Sequence, residues 1–160
     1  MTSVFKKLFV VCLSLLVMGC TSAMAMFFDD NPRYIQVGRS DLTTSYLDVN
    51  SIQSVRYDPP FYMIRATIVT YDYSIGMTTG LENNFFYNFK GQTVKAQLIS
   101  IYTYDDVGNP TSQQTYNGQD VNPCDRSSVN GTAANKAFFN CYNMTFYQNF
   151  SKPAANQNRL

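Results

Sequence analysis

Apolar and polar residues alternate with a period of two through much of the chain, and this alternation predicts β-strands. The clearest example is the segment 61–73, in which Ile64, Ala66 and Ile68 share one parity and Arg65 lies on the other. Successive side chains of a strand point to opposite faces of a sheet. We therefore expect the even-numbered face of this strand to be buried and Arg65 to face solvent.

Further strands are predicted where short runs of strand-forming residues end at glycine, proline, aspartate or asparagine. They cover residues 33–37, 45–49, 52–57, 85–89, 92–104 and 111–116, the last of them near a sheet edge. Residues 74–84, with two glycines, are expected to form a loop. Lys90-Gly91 predicts a tight turn between two antiparallel strands, since glycine tolerates positive φ. Apolar residues of both parities over 99–102 indicate a β-bulge or coverage of both faces.

The period becomes helical near the C-terminus and predicts a helix over residues 133–147, with Thr132 as its N-cap. One stripe of this helix carries Ala134, Ala137, Phe138, Cys141, Met144 and Thr145. Pro153 limits continuation, and residues 151–160 are expected to form a flexible tail. The predicted fold class is α+β: an antiparallel β-sheet of about six or seven strands with one C-terminal helix packed on a face.

The pattern of residues 1–25, a short basic segment followed by an apolar run, predicts a bacterial signal peptide. Residues 26–150 then form a single predicted domain. Lys6 and Lys7 precede an uncharged apolar run, residues 8–18, which is shorter than the roughly 20 residues needed to cross a bilayer. Two processing sites stay open: cleavage after Ala25, and a lipobox-like site in which Cys20 is lipidated. An uncleaved membrane anchor is a third alternative. We expect an exported protein of the periplasm, cell envelope or extracellular space.

The charge balance of the chain argues against nucleic-acid binding. The sequence has 12 Lys and Arg against 11 Asp and Glu. Loss of Lys6 and Lys7 with the signal peptide would give a net charge of about −1. Such a chain has no strong positive field to attract phosphates. The one expected contact with a membrane is the lipid anchor.

The sequence contains no histidine, which excludes serine–histidine and cysteine–histidine catalytic groups and zinc–histidine sites. The adjacent acids Asp29-Asp30 and Asp105-Asp106 suit solvation and turn capping better than a glycosidase, which needs two carboxylates across a cleft. The segment 105–109 lacks the spaced acids and terminal glutamate of a calcium loop. We therefore predict no catalytic residue, no cofactor and no metal ligand.

Export would leave two cysteines, Cys124 and Cys141, in an oxidising compartment, so a disulfide between them is predicted. In the chain-entropy description this loop closure contributes about 3 kcal/mol to stability. Two free buried thiols are the alternative.

Four apolar side chains lie on the strand face and the loop opposite the predicted core. They are Met63, Tyr71, Tyr73 and Met77. An exposed apolar patch often marks a protein interface, and tyrosine and methionine are enriched there. These residues are therefore the predicted partner surface, the alternative being that a second layer covers them.

Three segments precede the predicted helix that follows Pro123. In chain order they are residues 46–52 (YLDVNSI), a long strand over 62–73 and residues 104–109 (YDDVGN). In this order the chain resembles the surface-adhesin protein E-like family of small exported bacterial proteins. It departs from the family pattern in a long insertion, residues 117–131, and in lacking a tryptophan before the helix. The resemblance implies one antiparallel sheet that cradles a C-terminal helix.

The expected function combines these features. It is a non-catalytic, adhesin-like protein of the bacterial envelope or exterior that binds an unknown protein or surface partner. The alternative is a periplasmic small-ligand carrier or enzyme inhibitor, in which the sheet and helix enclose a pocket lined by Tyr and Phe.

Overall fold

The structure, a computed structural model, describes residues 28–105, 108–118 and 120–147. The predicted signal peptide, the lipidation site Cys20 and the tail 151–160 lie outside these residues. Within them the elements are β1 (Tyr34–Arg39), β2 (Thr43–Asp58), β3 (Phe61–Asp72), β4 (Met77–Asn88), β5 (Thr93–Tyr104), β6 (Pro110–Thr115), β7 (Asn122–Pro123) and α1 (Val129–Tyr142).

The strands form one antiparallel sheet in the order β1-β2-β3-β4-β5-β6, so each strand pairs with its neighbours in sequence. The two-residue β7 pairs with β5 beside β6. The strand β6 lies at the sheet edge and is exposed throughout, as predicted. With α1 packed on one face, the α+β prediction is confirmed.

The larger core cluster lies between α1 and the face of the sheet that was predicted to be buried, and a smaller cluster on the opposite face packs Val69 with Phe28 and Tyr46. Ile64, Ala66 and Ile68 are all at most 1% exposed in the larger cluster. From the helix, Phe138 is fully buried in the same cluster. Each such large apolar side chain contributes roughly 1.5–3 kcal/mol by leaving water. The pattern along β3 therefore predicted these buried positions correctly.

Two glycines let the start of α1 lie close to its neighbours. A Cβ atom on Gly131 would lie 2.0 Å from the backbone oxygen of Asp125. One on Gly38 of β1 would lie 2.6 Å from Cγ2 of Val129. A larger residue at Gly38 would push the start of α1 away from the sheet, and one at Gly131 would push it away from the loop at Asp125.

One long strand, β2, replaces the two short strands that were predicted over 45–49 and 52–57. Its pairing with β3 is irregular: Asp48 lies opposite Thr67, but Gln53 lies opposite Arg65. The Ser51 hydroxyl bridges the irregularity, because it donates to the Asp48 carbonyl (2.6 Å) and accepts from the Thr67 N–H (2.8 Å). This β-bulge keeps the strand continuous.

The predicted loop 74–84 is wrong from Met77 onward, where β4 begins. The β4–β5 hairpin is confirmed, with Asn88 opposite Thr93, although Gln92 rather than Gly91 takes the positive φ of 51°. Of the two alternatives predicted for residues 99–102, the β-bulge is present. The register passes from Glu82↔Ser100 to Asn83↔Leu98 and leaves Ile99 without a partner in the ladder.

The helix begins four residues earlier than predicted, and Ser128 rather than Thr132 is its N-cap. The Ser128 Oγ accepts from the Gly131 N–H at 3.1 Å. The helix ends at Tyr142, and Asn143 follows in the left-handed conformation with φ 52°. Met144 and Thr145, expected on the helical stripe, therefore lie beyond the helix.

Candidate functional site

The structure separates the four residues of the predicted partner surface. Tyr71 is only 3% exposed, and its ring packs edge-on against Tyr73 at 5.0 Å between centroids, so its assignment to an exposed surface is wrong. Met63 is half-buried and lies near the other end of β3, opposite Phe86. Tyr73 and Met77 are exposed and lie together at the β3–β4 turn.

Two neighbouring turns bring Tyr73 and Met77 together with two residues that the sequence did not single out. The Tyr73 N–H donates to the Leu42 carbonyl at 2.8 Å, so the β1–β2 turn lies beside the β3–β4 turn. Leu42 is 60% exposed, Tyr73 37%, Ile75 64% and Met77 41%. We call these four residues, Leu42, Tyr73, Ile75 and Met77, the turn-end surface.

Hydrogen bonds fix the backbone under the turn-end surface. The Ser40 Oγ accepts from the Thr43 N–H at 3.0 Å. The Asp72 carboxylate accepts from the Ser74 N–H (2.9 Å) and the Ser74 hydroxyl (2.6 Å), and these bonds lower the pKa of Asp72. The Tyr73 hydroxyl bonds Thr44 Oγ1 at 2.9 Å. A surface that is already ordered loses less entropy on binding than a flexible one.

The acidic side chains of the sheet are engaged in structural contacts. Asp48 forms a bidentate ion pair with Arg33, at 2.8 and 2.7 Å, and this hydrogen bonding raises the pKa of Arg33. The Glu82 carboxylate accepts from the Tyr102 hydroxyl at 3.1 Å. Asp105 accepts from the Asn109 N–H at 2.8 Å, in the turn role expected of it.

The YLDVNSI segment shapes the fold. The Tyr46 hydroxyl donates to Asp29 at 2.7 Å, and burial followed by this hydrogen bond raises the pKa of Tyr46. Asp48 pairs with Arg33, Ser51 closes the β2 bulge, and Ile52 packs against the core. The segment that carries the family resemblance therefore has a local structural role at each of these positions.

Cys124 and Cys141 are free and half-buried in this structure, and both pack against the core cluster. Burial raises the pKa of the Cys124 thiol to about 11 and also raises the pKa of Cys141. The disulfide stays a prediction for the exported protein.

A cavity of about 400 Å³ lies beside Cys124 and is also lined by Val94, Arg126 and Tyr147. The Arg126 guanidinium lies 4.7 Å from the centroid of the Tyr147 ring. The buried Tyr147 hydroxyl has no hydrogen-bond partner among the described residues. Across that same part of the chain, no group of three or more Cys, Asp or Glu residues could hold a metal ion.

No protein-family model, curated protein or solved structure matches this chain. The resemblance to the adhesin E-like family stays a prediction. Among the described residues, no helix has the length and apolar character needed to cross a membrane.

Proposed function

We propose that this chain is an exported, non-catalytic bacterial protein of the cell envelope or exterior, and that it binds a partner protein through the turn-end surface. The observation that carries the proposal is the exposure of four apolar side chains on two adjoining turns whose backbones are hydrogen-bonded in place. Large apolar residues held in this way are typical anchors of protein interfaces.

The charges around the turn-end surface favour a protein over a membrane as the partner. Asp41 and Asp72 are adjacent in sequence to Leu42 and Tyr73, and the cation Arg39 precedes the first of the two turns. An anionic lipid surface attracts basic residues and repels acidic ones. A protein partner with an apolar pocket and a polar or basic rim complements this surface.

The non-catalytic part of the proposal is supported by the roles of the polar side chains. The chain has no histidine, and Asp48, Asp72 and Glu82 each have a structural partner. Export is supported by the signal-peptide pattern of residues 1–25.

The proposal can be tested by site-specific photocrosslinking in cells that produce the protein. A benzophenone amino acid at position 42 should give one discrete protein adduct. Ile75→Asp should abolish this adduct, because a carboxylate cannot enter an apolar pocket without a large desolvation cost. Phe139→Asp is the matched control, since Phe139 is 53% exposed on the helix away from the two turns.

An adduct that survives Ile75→Asp would refute the proposed surface. Loss of the adduct in Phe139→Asp as well would show a general effect on the fold. A different result would assign the surface to a membrane: the protein gives no adduct, it sediments with lipid vesicles, and Ile75→Asp abolishes this sedimentation.

A further inference from the structure

A second apolar site lies at the opposite end of the sheet, on the face that α1 does not cover. Arg56, Phe61, Met63 and Phe86 line a groove of about 270 Å³. The register explains the arrangement: Met63 lies opposite both Arg56 on β2 and Phe86 on β4, and residues directly opposite in a sheet share a face. Phe61 is 49% exposed at the rim.

Two more cations border this groove. Arg65 follows Met63 by two residues on β3, which places it on the same face about 7 Å away along the strand. Lys95 lies opposite Phe86 in the β4–β5 ladder, where facing side chains are about 5 Å apart. The groove thus has an apolar floor with three cations around it, and the Asp58 carboxylate lies opposite Phe61 at one end.

The positive charge is only partly neutralised. Arg56 forms an ion pair with Asp58. The Arg65 Nε donates to the neutral Asn84 Oδ1 at 3.0 Å. Within the part of the chain that the structure describes, no carboxylate lies at ion-pair distance from Arg65 or Lys95. An anionic ligand would supply the missing charge.

We propose that this groove binds a small carboxylate with an aliphatic tail. The tail would lie on Phe61, Met63 and Phe86, and the carboxylate would lie between Arg65 and Lys95. The volume is just below the roughly 300–1,000 Å³ of small-molecule sites, which suits a short chain rather than a long lipid. This site is separate from the turn-end surface and does not depend on the proposed function.

Methionine methyl NMR provides a direct test with sodium octanoate as the probe. In protein labelled with [¹³C-methyl]methionine, the Met63 resonance should shift saturably with octanoate. Met77 and Met144, which are 41% and 42% exposed away from the groove, are internal controls and should not shift. Met63→Leu assigns the resonance.

Substitutions test the role of the charges. Lys95→Gln and Arg65→Gln together should weaken octanoate binding about three- to tenfold, as expected for exposed ion pairs. Arg39→Gln, an exposed cation at the other end of the sheet, should leave binding unchanged. Lys95 is exposed, so Lys95→Gln alone provides a test that does not disturb the fold.

Several outcomes would overturn the proposal. These are no saturable shift of Met63, equal shifts of Met63, Met77 and Met144, or binding of octan-1-ol as tight as that of octanoate. A Met63 shift with phosphatidylglycerol vesicles but not with octanoate would assign the groove to membrane lipid and refute a free carboxylate ligand.

Discussion

Two buried tyrosine hydroxyls near α1 differ in whether they have a hydrogen-bond partner among the described residues. This difference predicts that tyrosine-to-phenylalanine substitution changes the stability of the protein in opposite directions at the two positions. The Tyr87 hydroxyl donates to the Ala134 carbonyl at 2.9 Å and so links the sheet to the helix. The Tyr147 hydroxyl is buried with no partner among the described residues. Tyr87→Phe and Tyr147→Phe each remove one oxygen and keep the ring packing.

The expected changes in the free energy of unfolding follow from the energetics of buried hydrogen bonds. Loss of the Tyr87 bond should lower the free energy of unfolding by about 1 kcal/mol, because the Ala134 carbonyl keeps its helical partner. Removal of the Tyr147 hydroxyl, which has no partner among the described residues, should raise the free energy of unfolding by about 1 kcal/mol, because a buried polar group without a partner destabilises the folded state.

Denaturant unfolding followed by far-ultraviolet circular dichroism measures both changes against the unsubstituted protein. The two variants should shift the midpoint in opposite directions with the same m value, since the surface exposed on unfolding is unchanged. A Tyr147→Phe variant that is destabilised as much as Tyr87→Phe would show that the Tyr147 hydroxyl has a partner. A neutral Tyr87→Phe would refute the stabilising link between β4 and α1.

Four further predictions concern the bulge, the helix and the cysteines. Ser51→Ala should cost about 1–3 kcal/mol in chemical denaturation, because it leaves the Thr67 N–H without its acceptor; Ser112→Ala, on the exposed edge strand, should cost little. Gly131→Ala should destabilise by about 1–3 kcal/mol in thermal unfolding, because the new Cβ meets backbone 2.0 Å away. Thiol labelling of the denatured, unreduced exported protein should find Cys124 and Cys141 bonded, and labelling at both would refute the disulfide. In the reduced protein, the raised pKa of Cys124 means that the folded state holds its proton longer, so stability should fall as pH rises from about 9 to about 11; a flat profile would contradict this.

The central strands could be predicted from the sequence because the alternation of apolar and polar residues that defines them lies within each strand. Ile64, Ala66 and Ile68 alternate with more polar residues, and only one face of β3 can then be buried against α1. The start of β4 was missed because Thr78 and Asn83, which are polar in the sequence, are buried within it. Burial of polar residues depends on neighbouring strands, which no local pattern contains.

The turn-end surface was predicted only in part, for a related reason. Tyr73 and Met77 lie next to one turn and could be found from their position after β3. Leu42 joins them only because β2 pairs with β3 in a register that places Thr43 opposite Asp72. Leu42 and Ile75 are large apolar residues within short turns. This feature of the sequence is the signal that could have identified these two residues of the turn-end surface.

The two proposed sites are connected by β3 but should act independently. Met63 lies near the start of this strand and Tyr73 follows its end, so a rise of about 3.3 Å per residue separates them by roughly 30 Å. Substitutions that far apart, with no shared contacts, have additive effects. Lys95→Gln should therefore leave the photocrosslink at position 42 intact, and Ile75→Asp should leave the octanoate shift of Met63 intact. If either substitution affected both readouts, the sheet would be transmitting a structural change, and neither site could be assigned from its local geometry alone.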